Sequence, residues 1–178
     1  MMYQSKGYIQ YQTPEKIKLK FDAITEPDSF WKDRTVLDVG CCEGLLYPLL
    51  KEKGIKRYVG IDNSPEYIEK AREMFPEIEF RLGDLRDVND KFDIAVSFST
   101  LHIFDDKEYE KIIGHYSKIC KIFIIEFPVQ GSSPIYHTRD ELFVAETGLR
   151  YFKDIMCYGV SPSPHDIQSV RKVFKCTN

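Results

Sequence analysis

The feature that most constrains the fold is a short apolar strand that runs directly into a glycine-rich turn. Residues 36–44 have the sequence Val-Leu-Asp-Val-Gly-Cys-Cys-Glu-Gly. A second apolar run, 58–61, ends at Asp62, and a third, 79–83, ends at Asp84, so acidic residues recur 22 to 24 positions apart. This spacing is that of one strand and one helix. Because ligands of open α/β sheets bind outside the carboxyl ends of the strands, we expect these acids to line one crevice.

The segments that follow the strands have the patterns of helices. Residues 45–54 carry paired leucines at helical spacing and a glycine stop, and Pro48 fits such a helix only in its first turn. Ser64, followed by proline and glutamate, is typical of a helix N-terminus. Residues 106–117 have a further helical pattern, and 138–147 predict a helix that ends at Gly148.

The remaining apolar runs complete a sheet. Residues 92–98 and 122–127 predict a fourth and a fifth strand, and the second of these is apolar enough to be buried on both faces. Two β-rich runs, 152–158 and 170–176, follow without a helix between them. Strands joined without a crossover pair antiparallel, so we expect a C-terminal hairpin.

Composition narrows the class of protein. A chain of 178 residues with 43% hydrophobic content predicts a single domain. A net charge of −3 and a pI near 5.8 give no basic footprint for a nucleic-acid partner. Neither a signal-peptide core nor a membrane span is recognisable, so the expected location is the cytoplasm. The five cysteines form no Cys-x-x-Cys pair, and we predict neither a disulfide framework nor a metal site.

These motifs together resemble class I S-adenosylmethionine-dependent methyltransferases. The resemblance covers about Arg34 to the C-terminus. It rests on four segments in order, namely Asp38-x-Gly40-x-x-x-Gly44, Val59-Gly60-Ile61-Asp62, Gly83-Asp84-Leu85 and Phe92-Asp93-Ile94-Ala95-Val96. It implies an α/β fold with a doubly wound, Rossmann-like, seven-stranded and mostly parallel sheet that ends in an antiparallel hairpin. It divides the single domain into an N-terminal helical lid or substrate segment, 1–33, and a cofactor-binding core, 34–178.

The resemblance also implies a cofactor site for S-adenosylmethionine and its product S-adenosylhomocysteine. Gly40 and Gly44 would let the backbone approach the methionine end, where the following helix offers its positive dipole end to the carboxylate. Asp62 would accept both ribose hydroxyls, and Asp84 would accept the adenine amino group. The full set of predicted cofactor residues is Asp38, Gly40, Cys41, Gly44, Asp62, Asn63, Asp84, Leu85, Ser97, Tyr11 and Gln12.

A dinucleotide site uses a similar layout and is the first alternative. The NAD fingerprint requires Gly-x-Gly-x-x-Gly, whereas Cys42 occupies the place of the second glycine and Leu45 that of the third. The sequence therefore favours S-adenosylmethionine over NAD.

A second alternative concerns Cys41 and Cys42, where a helix N-terminus would lower the pKa of a reactive thiol. Small residues that allow close backbone approach are the simpler interpretation.

Methyl transfer requires alignment more than a dedicated nucleophile, so few catalytic residues are expected. His102, in the Leu-His pair after the fourth strand, is the candidate general base. Glu126, at the end of the fifth strand, also faces the crevice by topology. In the N-terminal segment, Tyr11 and Gln12 could touch the methionine end, and Lys20 could approach its carboxylate, although a helix packed on the sheet is the simpler role.

The sequence therefore predicts a cytoplasmic methyltransferase that acts on an oxygen or nitrogen atom of a small-molecule acceptor, as a monomer or homodimer without a membrane partner. One alternative is an enzyme that methylates tRNA or protein. Another is a non-catalytic subunit that binds S-adenosylmethionine and supports a partner.

Overall fold

The computed structural model describes residues 13–128, 139–161 and 171–178. The strands are β1 (Thr35–Val39), β2 (Arg57–Asp62), β3 (Glu79–Leu82), β4 (Phe92–Phe98), β5 (Cys120–Pro128), β6 (Asp154–Ser161) and β7 (Arg171–Thr177). The helices are α1 (Pro14–Asp22), α2 (Asp28–Trp31), α3 (Tyr47–Glu52), α4 (Pro65–Met74), α5 (Asp106–Ile119) and α6 (Glu141–Leu149). Two short 3-10 turns, Leu85–Asp87 and Leu101–Ile103, follow β3 and β4.

The seven strands form one sheet in the order β3-β2-β1-β4-β5-β7-β6. The first five are parallel to one another, whereas β7 is antiparallel to both β5 and β6. The predicted Rossmann-like architecture and its C-terminal hairpin are therefore confirmed. The order of the strands changes direction at β1 and β4, and ligands of α/β sheets bind at such switch points.

Helices cover both faces of the sheet, because the strands are apolar on both sides. On one face Leu37 and Val39 pack with α5 and α6. On the other face Val36 packs with apolar residues of α1 to α4, among them Phe21 and Trp31. The described part of the N-terminal segment thus shares its core with the sheet.

The helix boundaries follow local chemistry. Ser64 caps α4, its hydroxyl accepting from the Tyr67 amide over 3.4 Å. Pro48 lies in the first turn of α3, where its missing N–H costs no hydrogen bond. The prediction that Gly148 ends α6 is wrong, since this helix continues through Leu149. Gly148 is needed there for space, because a Cβ atom would lie 2.7 Å from Ile155 Cδ1 on β6.

Candidate functional site

The carboxyl ends of β1, β2, β4 and β5 bring polar side chains to one edge of the sheet. Asp38 lies near the end of β1, Asp62 ends β2, Ser99 follows β4, and Glu126 lies near the end of β5. Asp38, Asp62 and Glu126 come from β1, β2 and β5, which together with β4 form the consecutive parallel run β2-β1-β4-β5 of the sheet. This edge is the candidate active site.

The glycine-rich turn after β1 has the backbone conformation that its sequence predicts. Gly40 and Gly44 have φ angles of +74° and +75°, and Cys42 between them has a φ of +49°. The glycines also make room for neighbouring side chains. A Cβ atom on Gly40 would lie 2.1 Å from Thr100 Oγ1, and one on Gly44 would lie 2.6 Å from Phe80 Cζ. Substitution of either glycine would therefore strain the backbone and displace a packed side chain.

Backbone hydrogen bonds tie this turn to β2. The amides of Gly40 and Cys41 both donate to the Ile61 carbonyl oxygen, at 2.9 and 3.1 Å, and the Gly44 amide donates to Cys41 O. These three donors are thus used within the protein. The turn fixes the path of the chain beside Asp62, and these three amides are not free to bind the carboxylate of a cofactor.

Asp62 is held by two backbone amides. Its Oδ2 accepts from the Cys42 amide over 3.0 Å, and its Oδ1 accepts from the Ser64 amide over 2.9 Å. Burial raises the pKa of this carboxyl, while the backbone hydrogen bonds act in the opposite direction. Each carboxylate oxygen has a second lone pair. Asp62 is therefore a fixed acceptor, next to Asn63, that suits a pair of hydroxyl groups.

Asp38 and Ser97 are engaged inside the protein. The Tyr58 hydroxyl donates to Asp38 Oδ2 over 2.6 Å, and the Ser97 hydroxyl donates to Val39 O over 3.3 Å. Burial raises the pKa of Asp38 to about 7, and the nearby Asp62 carboxylate adds to this rise against the Tyr58 hydrogen bond. Tyr58 is a member of the site that sequence inspection missed.

Asp84 caps the 3-10 turn that begins at Leu85. Its Oδ1 accepts from the Arg86 amide over 2.8 Å, and its carboxylate forms an ion pair with the Arg86 guanidinium at 2.5 Å. This hydrogen-bonded pairing lowers the pKa of Asp84. Leu85 is buried beside it. Any adenine contact by Asp84 would share the carboxylate with Arg86.

The two cysteines of the turn are not activated. Burial raises the pKa of both the Cys41 and the Cys42 thiol, and the carboxylates of Asp38 and Asp62 raise them further. The thiols are therefore neutral at physiological pH. This electrostatic environment disfavours the thiolate form and so contradicts the interpretation of a reactive thiol. It agrees with the simpler interpretation, in which the two cysteines are small residues that allow close approach of the backbone.

His102 lies in the 3-10 turn after β4 and is fully buried. Its ring lies edge-on to Phe127, with 6.5 Å between the ring centroids and an interplanar angle of 81°. Phe127 directly follows Glu126 on β5. Because side chains alternate across a strand, the histidine and the glutamate flank the end of β5 from opposite faces.

A buried polar cluster joins α1 to the ends of β4 and β5. Lys20 Nζ donates to Ser99 Oγ over 2.7 Å, and Ser99 Oγ donates to Glu126 Oε2 over 2.7 Å. Lys20 Nζ also lies 3.8 Å from Glu126 Oε2, and the two side chains are 2% and 0% exposed. Ser99 has a φ of +56°, a strained conformation for a serine.

Sequence inspection named Lys20 and Glu126 separately and did not identify Ser99. One signal was available, since Lys20 interrupts the apolar face that Ile17, Phe21 and Ile24 form on and just after α1. A lysine on such a face is buried with a partner. The partner itself lies too far along the chain to be identified from this pattern.

Two predicted cofactor residues, Tyr11 and Gln12, lie outside the described residues. Within the described ranges, no cluster of three or more metal-binding side chains occurs. The helices of those ranges include none that is long and apolar enough to cross a membrane.

Comparison with known proteins shows similarity to methyltransferases. Residues 36–122, just under half of the chain, match the family described as Methyltransferase domain. The ribosomal protein L11 methyltransferase of Aquifex aeolicus is 34% identical over 89 residues, which are 48% of this chain and 36% of that protein. Protein arginine N-methyltransferase 1 of Saccharomyces cerevisiae is 35% identical over 154 residues, which are 79% of this chain and 43% of that protein.

The chain spans less than half the length of the curated relatives it matches. Among solved structures, magnesium protoporphyrin IX methyltransferase from Synechocystis PCC 6803 with bound SAH has a TM-score of 0.76 at 15% identity. The match covers 93% of this chain and 83% of that one. At this identity the similarity supports the fold.

Proposed function

We propose, from the match of residues 36–122 to the family described as Methyltransferase domain, that the chain is a class I S-adenosylmethionine-dependent methyltransferase, a cytoplasmic enzyme that methylates an oxygen or nitrogen atom of a small-molecule acceptor. The observation that carries the proposal is Asp62, whose carboxylate two backbone amides fix beside the glycine-rich turn.

The residues of the site fit S-adenosylmethionine. The ribose of the cofactor offers two hydroxyl donors, and an ionised carboxylate at Asp62 would only accept hydrogen bonds. When bound, the cofactor supplies an electrophilic methyl group on a sulfonium. The fixed turn and the buried carboxylate would orient it, because in-line displacement depends on alignment and on the exclusion of water.

The acceptor loses a proton when it gains the methyl group, and the chain supplies the base. The acceptor oxygen or nitrogen forms the new bond to carbon, the carbon–sulfur bond breaks with its electron pair going to sulfur, and the proton goes to a side chain. We assign this role to His102, which lies after β4 on the acceptor side of the sheet. A neutral imidazole is a base suited to physiological pH.

The relatives leave the acceptor class open. Two of them are named for protein acceptors, the ribosomal protein L11 and arginine methyltransferases. A protein acceptor is therefore the second candidate. The net charge of −3 gives no support for a nucleic-acid acceptor. Incubation with S-adenosylmethionine labelled in the methyl group, followed by separation of protein from small molecules, distinguishes the two classes.

Calorimetry tests the cofactor site directly. The wild type should bind S-adenosylhomocysteine with micromolar affinity, about −8 kcal/mol, and should not bind NAD comparably. Replacement of Asp62 by Asn removes charge from two hydrogen bonds and should weaken binding by about 2 kcal/mol, a factor of about 30.

Asp93→Asn provides the matched control, since Asp93 accepts from the Thr35 amide at the opposite edge of the sheet. It should leave the affinity for S-adenosylhomocysteine unchanged. NAD binding without S-adenosylhomocysteine binding would reject the proposed function, and wild-type affinity in Asp62→Asn would reject the role of Asp62.

A further inference from the structure

Arg139 is a buried cation outside the site described above. It lies just before α6, its side chain is 2% exposed, and three aromatic rings surround its guanidinium. The distances from Cζ to the ring centroids are 4.5 Å for Tyr109, 5.0 Å for Phe127 and 5.7 Å for Phe143. Such an enclosure holds the planar group in one orientation by cation–π contacts.

The hydrogen bonds of Arg139 leave one donor group unused. Nε donates to Asp106 Oδ1 over 2.7 Å, and Nη2 donates to the Phe104 carbonyl oxygen over 2.7 Å. Nη1 is buried and has no hydrogen-bonding partner among the described residues. The side chain of Asp106 is 67% exposed, so water screens its charge. A buried charged donor without a partner is rare in folded proteins and indicates an absent ligand or water.

The position of Arg139 relates this donor to methyl transfer. Phe104, which Arg139 binds, directly follows the 3-10 turn that carries His102. Phe127, one of the surrounding rings, also contacts the His102 ring at 6.5 Å. Arg139 therefore lies on the β4–β5 side of the sheet edge, whereas Asp62 lies on the β1–β2 side. The cofactor and this donor occupy different sides of the edge.

We propose that Arg139 binds an oxyanion of the methyl acceptor, a carboxylate or a phosphate, through Nη1. This inference rests on the proposed function and adds the chemical class of its substrate. Asp106 holds Nε and the Phe104 carbonyl oxygen holds Nη2, so the N–H groups of Nη1 point in a defined direction. A fixed guanidinium distinguishes an oxyanion from a neutral group because it supplies both charge and a directed N–H.

Arg139 also joins the start of α6 to the loop after β4, and this structural role must be separated from ligand binding. Arg139→Lys keeps a positive charge and an aliphatic stem but loses the planar fork. Arg139→Met removes the charge as well. Arg150→Met is the matched control, because Arg150 follows α6 and forms an exposed ion pair with Glu110 at 2.9 Å.

The experiment measures binding of inorganic phosphate and of acetate to the protein saturated with S-adenosylhomocysteine, by calorimetry and thermal unfolding at constant ionic strength against chloride. We expect one of the two oxyanions to bind the wild type and Arg150→Met equally. Arg139→Lys should bind it at least tenfold more weakly, and Arg139→Met should not bind it. Phosphate and acetate separate the two oxyanion classes.

Two results would overturn the inference. One is that neither oxyanion binds the wild type beyond the effect of chloride. The other is that an oxyanion binds Arg139→Lys as well as the wild type. In both cases heat from S-adenosylhomocysteine would still support the proposed function, and its absence would count against that function alone. Since Arg139→Lys retains the charge and the stem, it keeps the test valid if Arg139→Met fails to fold.

Discussion

The Tyr58 hydroxyl donates a 2.6 Å hydrogen bond to Asp38 Oδ2, and both residues are 4% exposed. The bond gives Oδ2 a donor but does not compensate for the burial of the carboxyl group, which raises the pKa of Asp38 to about 7. A carboxyl at the edge of the candidate cofactor site is therefore in equilibrium between its two protonation states near neutral pH.

The first prediction follows from this pKa. Because the folded state favours the protonated form, the stability that Asp38 contributes is present below its unfolded pKa of 3.8 and is lost as pH rises through 7. Asp38→Asn should therefore gain stability relative to the wild type between pH 4 and pH 8. Urea unfolding at several pH values measures this difference.

Asp93 provides the opposite case. The ion pair with Lys121 lowers its pKa to about 2, so its contribution is present above the unfolded pKa and is lost as pH falls toward 2. Asp93→Asn should therefore lose stability at neutral pH and approach the wild type in acid. Equal slopes of stability against pH in the two variants would contradict the electrostatic interpretation of Asp38.

The second prediction concerns Lys20. Lys20→Met removes the cation that lies 3.8 Å from the buried Glu126 carboxylate, and the free energy of unfolding should fall by about 3 to 5 kcal/mol. Lys20→Met combined with Glu126→Gln should lose less than the sum of the single changes, because the pair is coupled. Denaturant unfolding of the single and double variants measures the coupling.

Lys18→Met is the control on the same helix, since Lys18 pairs with Asp22 at the surface. It should change stability by no more than about 0.5 kcal/mol. An equally small effect of Lys20→Met would show that the buried pair does not hold α1 on the sheet.

The third prediction separates backbone strain from packing in the glycines. Gly54 has a φ of +74°, and an added Cβ atom would lie 3.7 Å from Lys32 Cγ, an ordinary contact distance, so Gly54→Ala should cost only the strain, about 1 kcal/mol. Gly44 has the same φ but faces Phe80, so Gly44→Ala should cost about 1 to 3 kcal/mol more. Thermal unfolding compares the two variants. Equal destabilisation would show that Phe80 adjusts freely.

The fourth prediction tests His102 as the base once an acceptor is identified. His102→Gln should lower kcat by roughly 10² to 10⁴ and abolish the rise of rate with pH, while affinity for S-adenosylhomocysteine stays near that of the wild type. His115→Gln is the control, because His115 lies on α5, away from the edge, where its Nε2 forms a hydrogen bond with Val88 O. A His102→Gln variant that keeps the wild-type pH profile would assign this buried ring to packing against Phe127.

Local sequence patterns predicted the fold because they report burial and element ends. The apolar runs gave the five parallel strands and the hairpin, and Ser64 gave the start of α4, since a cap depends on adjacent residues. The role of Gly148 was predicted wrongly, because a glycine can mark either the end of a helix or a close contact with a neighbouring element. Only the position of Ile155 on β6 distinguishes these two uses.

The sequence by itself determined that Asp38, Asp62 and Glu126 lie at one edge of a sheet, because parallel strands end together. Which groups they bind was decided by the tertiary structure. Lys20 reaches Ser99 across 79 positions, and Arg139 reaches Phe104 across 35. Local periodicity fixes the face on which a side chain lies. The partner of a buried charge depends on how distant elements pack, because that packing sets both its separation from the opposite charge and its exclusion from water.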